Sequence, residues 1–179
     1  MSGTVTKTAT SEALLSYLQT NVQSLAGAGT LRTAAMESFA KCGLPTNKDE
    51  EFRKTPLSKA IESFTFIDSE PKEIPLSAFA IPTLEGYPVV FTDGTFDNER
   101  SSVPDKVIVL PMQNAMESHG ELIALHLGKY AGYEKDGLVA FNTAGWKNGL
   151  FVHVPAGVVL DKPIILYNVI SRSSINIVV

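Results

Sequence analysis

The chain has 179 residues and a formal charge of −4, with 44 % hydrophobic and 19 % charged residues. That is globular composition, which excludes a mainly disordered chain, and the acidic balance excludes a general electrostatic hold on nucleic acid. No apolar run approaches the ~18 residues of a membrane-spanning helix.

A chain of this size buries about 70 % of its surface on folding, enough for a core without disulfides or metal. Its single cysteine, Cys42, cannot close an internal disulfide or complete a four-thiolate metal site, and it fits a reducing, cytoplasmic compartment. Residues 1–10 are rich in Ser and Thr, lack the apolar stretch of a secretory signal, and read as a flexible tail.

The first periodic segment covers 11–25, with Leu14, Leu15, Leu18, Val22 and Leu25 on one helical face. Ser11 is its candidate N-cap, and Gly27 with Gly29 end it. A second helix is expected over 31–41, with Leu31, Ala35, Met36 and Phe39 as its stripe and Gly43 as its C′ residue. The two helices read as an antiparallel pair. Asn47 and Glu50 have the form of a capping box for a helix of about two turns that Pro56 stops. The alternating charges of 47–54 read as a solvated face, with a partner surface as the alternative.

Residues 63–67 suggest a short strand, and 70–88, with four prolines, a surface excursion. Residues 87–96 predict a hairpin turning at Asp93-Gly94. Residues 107–110 predict a buried strand closed by Pro111. Residues 112–130 read as two short helices with a break near 118–120, where Gly120 lies. Residues 141–146 read as a last helical turn or a bend. Beyond this, 150–154, 158–160, 164–170 and 175–179 are short strands separated by turns at Asn148-Gly149, Pro155-Ala156-Gly157 and Asp161-Lys162-Pro163. Strands at such intervals without helices suggest a sandwich, a barrel or a β-solenoid. Residues 175–179 end in an uncovered apolar strand, which is an aggregation hazard and suggests a piece of a longer chain.

The sequence holds no phosphate loop, no dinucleotide-binding glycine pattern, no nucleophile elbow, and no H-E-x-x-H or C-x-x-C. His119 and His126 lie seven apart on an interrupted helix, and two nitrogen donors leave a zinc site incomplete. His153 alternates with Val152 and Val154 and reads as a strand-face residue. Cys42 lies near a helix C-terminus, whose dipole disfavours a thiolate. Asp93 and Asp97 flank a turn that accounts for Asp93 by itself. Trp146, near Phe141, reads as a core anchor. The residues assign no catalytic, cofactor-binding or metal position.

Three stretches together resemble the SufD family, the β-helical scaffold component of the Suf iron–sulfur cluster assembly system. The first is Gly43-Leu44-Pro45, then Asp49-Glu50-Glu51-Phe52-Arg53 and Thr55-Pro56-Leu57. The second is His119-Gly120-Glu121-Leu122 leading to Leu127-Gly128-Lys129-Tyr130. The third is Phe141-Asn142-Thr143-Ala144 with Gly149, then Val152-His153-Val154-Pro155, Gly157 and Pro163-Ile164. Lys54, Gly145 and Asn148 depart from the family's usual residues, at positions of packing and turn chemistry. The sister family, SufB, shares the β-helix but does not usually carry the Gly-Leu-Pro signature.

The resemblance implies an α+β N-terminal cap over 11–136 and, from 137 to 179, the first rungs of a right-handed parallel β-helix truncated at Val179. Val154, Leu160, Ile164, Leu166 and Ile177 are its rung-core candidates, with Pro155 and Pro163 at corners. It implies a non-catalytic subunit that pairs with SufB-like and SufC-like partners, mostly through regions C-terminal to this chain. Iron–sulfur cluster and ATP belong to the whole complex, and no cofactor is expected on this chain. Nucleic acid and membrane are not among the expected partners. A carbohydrate-active β-helix protein and a stand-alone binding module are the alternatives.

Overall fold

The computed structural model describes residues 9–21, 28–63 and 73–171. The chain divides into two compact units, one drawn from Met1–Thr65 and His119–Trp146, the other from Phe66–Ser118 and Lys147–Val179. The architecture is α+β, with five α-helices and five short strands among the described residues.

The first unit is helical. Helix α1 spans Ala9–Asn21 and α2 spans Gly29–Cys42. Leu14 and Leu18 are buried at the i, i+4 spacing that the sequence pattern predicts. Val22, Leu25 and Gly27 lie outside the described residues, and Gly29 opens α2 instead of ending α1. Ser11 is no N-cap: it lies within α1, buried, and its hydroxyl accepts from the Leu44 N–H at 3.0 Å. A backbone donor beyond the next helix was the more pressing group to satisfy, because Leu44 is itself buried.

The buried face of α2 is Arg32, Ala35 and Phe39, not the all-apolar stripe expected. Its main neighbour is α5, Gly137–Gly145, with α1 packed less extensively on α2. Residues 141–146 are thus the end of a full helix. Asp136 starts it, its Oδ1 accepting from Leu138 N at 2.8 Å and Val139 N at 3.0 Å. Gly137, Ala140, Ala144 and Gly145 form its buried side, small enough to admit α2, and the Phe39 and Phe141 rings tilt together at 5.2 Å.

Between α2 and α3, Leu57–Ser63, the expected two-turn helix is only a 3₁₀ turn, Glu50–Phe52. Asn47 does not cap it. Instead Asp49 folds back, its Oδ2 accepting from Thr46 N at 2.6 Å and from Thr46 Oγ1 at 3.1 Å. Pro56 does not stop a helix but opens α3, accepting from Ala60 N at 3.0 Å. The strand expected over 63–67 begins at the last residue of α3 and otherwise lies outside the described residues.

Helix α4, Met112–His126, contributes to both units. It breaks at His119 (φ −134°, ψ 25°), where the sequence predicts a break. Ser118 Oγ donates back to Asn114 O at 2.9 Å, a bond that bends helices, and Gly120 follows.

The second unit holds the strands. The hairpin forms as expected: β1 (Tyr87–Thr92) pairs antiparallel with β2 (Thr95–Asp97), with Phe91 opposite Phe96. Its turn residues Asp93 and Gly94 have φ of 50° and 79°, the mirror-image turn that suits right-twisted strands. On its other side β1 pairs in parallel with β5 (Ile164–Val169), Val89 opposite Leu166 and Val90 opposite Tyr167. As the central strand it buries Val89, Val90 and Phe91 in succession, the continuous apolar run of a strand covered on both faces. Strands β3 (Ile108–Pro111) and β4 (Leu150–His153) form a separate antiparallel pair. Val89, Phe91, Val107 and Val109 form the core, with Val158, Leu160 and Ile164 packed on it.

Residues 158–160 contribute to that core without forming a strand. Of the rung-core candidates, Leu160 and Ile164 pack inward, while Val154 and Leu166 are 44 % and 57 % exposed. Alternation turns Ile164 and Leu166 to one face at different depths, and only the former reaches the core. Ile177 and the strand expected over 175–179 lie outside the described residues.

Candidate functional site

The Gly-Leu-Pro stretch ends α2 and builds one wall of an open groove. Gly43 has φ +65°, where a side chain is strained, and its N–H closes the helix on Phe39 O at 2.8 Å. Leu44 turns inward, 3 % exposed, held by Ser11. Gly137, the first residue of α5, lies so close that an added Cβ would stand 1.7 Å from the Gly43 carbonyl oxygen. The signature is therefore a junction of three helices, and its glycine and leucine are structural necessities.

The groove runs from this junction along the Thr46–Asp49 turn to α3 and has a volume of about 1220 Å³. Lys48, Glu50 and Glu51 line it from one side, Lys59 and Lys135 from others. Asp49 and Asp136 also line it, but their carboxylates accept from backbone N–H groups. The surface is wide, open and of mixed charge. Such a surface suits a polypeptide segment better than a small molecule, which needs enclosure.

Cys42 lies at the same place, half-buried, its thiol donating to the Glu134 carbonyl at 3.7 Å. The histidines are dispersed. His119 occupies the helix break, which ends the common face it would share with His126. His126 instead stacks on Tyr130, ring centroids 5.7 Å apart, with its Nδ1 on the phenol oxygen. His153 stacks on Phe151 along β4, as a strand-face residue does. Among the described residues no three His, Cys, Asp or Glu side chains are placed to hold a metal ion.

Asp93 and Asp97 serve different partners. Asp93 accepts from Ser171 N at 2.8 Å and Ser171 Oγ at 2.6 Å, fastening the chain after β5 to the hairpin turn. Asp97 accepts from Arg100 Nε at 2.7 Å. Burial pushes its carboxyl up, but the Arg100 side-chain and backbone hydrogen bonds outweigh this and hold it below the usual value.

Sequence reasoning missed Arg32. It is 1 % exposed, and Nη1 donates to the carbonyls of Ala144 at 3.0 Å and Trp146 at 2.7 Å. Burial pulls its guanidinium down to about 10, still charged at neutral pH. The signal was present: Arg32 stands three residues before Ala35 and seven before Phe39, on the buried stripe. Trp146 is a core anchor as expected, 1 % exposed, with its indole Nε1 buried and without a hydrogen-bond partner among the described residues.

The described residues thus form an α+β protein with an open groove beside a three-helix junction. The model for the SufBD protein N-terminal region matches residues 16–166, which include Gly43-Leu44-Pro45 and Gly137, and the chain belongs to that SufB/SufD family of iron–sulfur cluster assembly proteins. No curated protein matches the chain. No helix among the described residues is long and apolar enough to cross a membrane.

Proposed function

We propose that the chain acts as a SufD-type, non-catalytic subunit of the Suf scaffold in the cytoplasm. It pairs there with SufB-like and SufC-like partners and supports cluster assembly and iron acquisition. The observation that carries this is the family match over residues 16–166, with the Gly-Leu-Pro signature set at the junction beneath the groove. The signature favours SufD over SufB. Iron and the cluster are cargo of the complex and ATP belongs to the SufC-like partner; this chain holds no resident cofactor.

A right-handed parallel β-helix following the N-terminal region is part of the same reading. Supporting it, β1 and β5 pair in parallel, and β5 lies at the edge of its sheet with Leu166 exposed. The carbohydrate-active reading is weaker. Asp161 is engaged by the Tyr87 hydroxyl at 2.8 Å, and Lys162 by Glu85 at 2.8 Å, so both secure the turn before β5.

The test is co-expression from the complete reading frame, tagged, with SufB-like and SufC-like proteins, followed by affinity purification and mass analysis. A stoichiometric complex containing both is expected. Recovery of the tagged protein alone, with both partners well expressed and folded, would overturn the proposal.

A further inference from the structure

We draw no further inference here: the strongest candidate, the exposed apolar side chains of Leu166 on the edge strand β5 and Ile170 just beyond it, is an unpartnered apolar face, and nothing in the structure shows what covers it.

Discussion

The guanidinium carbon of Arg32 lies over the indole of Trp146, 3.7 Å from the ring centroid, while Nη1 donates to the same residue's carbonyl at 2.7 Å. One side chain of α2 thus satisfies the last carbonyls of α5 and stacks on the residue that ends it. A planar fork can do both; an ammonium cannot.

Arg32→Ala is therefore expected to destabilise the protein by about 3 kcal/mol, because it leaves two buried carbonyls unpaired and removes a desolvated cation–π interaction. Arg32→Lys should cost about half of that, keeping charge without stacking. Urea unfolding followed by tryptophan fluorescence measures both, since Trp146 is the only tryptophan. Equal stability of the wild type and Arg32→Ala would contradict the assignment. The lowered pKa adds a sign. From about 10 up to the guanidinium's ordinary value the unfolded chain binds more protons, so this group's contribution to stability rises with pH there and is flat at neutral pH.

Gly137→Ala and Gly120→Ala should act in opposite directions. At Gly137 the new methyl meets the Gly43 backbone, and neither helix can retreat without opening the junction, so a loss of about 3 kcal/mol or more is expected. At Gly120 nothing lies within 4 Å, and the alanine should stabilise by about 0.5–1 kcal/mol through helix propensity. Thermal melts of the two variants beside the wild type check the pair of signs.

Ser11→Ala removes the acceptor of a buried N–H and should cost about 1–2 kcal/mol. An N-cap role would predict fraying of α1 alone. Hydrogen exchange distinguishes the two, because loss of protection at the Leu44 amide is expected only if the hydroxyl serves that group.

Asp93→Ala should cost about 2–3 kcal/mol, combining left-handed backbone strain at φ 50° with removal of both Ser171 hydrogen bonds. Asn tolerates the same backbone region and keeps one acceptor, so Asp93→Asn should recover at least half of that. Chemical denaturation of the two variants measures the difference, and a more stable Ala variant would refute the clamp.

The Asp97–Arg100 pair makes an acid-side prediction. A carboxyl held below its ordinary value of 3.8 contributes stability that is complete above that value and is lost as pH falls through the folded pKa. Asp97→Asn should flatten this part of the acid unfolding curve and cost about 1 kcal/mol at neutral pH, the pair being partly exposed. Stability measured between roughly pH 2 and 6 tests both statements.

The features legible in the sequence are those decided by a few consecutive residues. Asp93-Gly94 can make its turn because both residues tolerate positive φ, Gly43 ends α2 for the same reason, and the break in α4 falls beside Gly120. The three motifs that resemble SufD are equally legible, and the family match covers the same stretches.

Only tertiary structure decided which distant groups meet. Ser11 looks like a cap until Leu44 is placed beside it, and the spacing that puts Arg32 on the buried stripe does not name its partners until α5 offers its carbonyls. The parallel pairing of β1 with β5 joins segments far apart in the chain, and an apolar alternation does not name its partner. It also does not say how deep a residue lies: Ile164 and Leu166 share one face of β5, yet only Ile164 packs on the core, and Leu160 does so while Val154 stands exposed. Local backbone preference is a property of a short peptide; burial and pairing exist only once the chain has returned to itself.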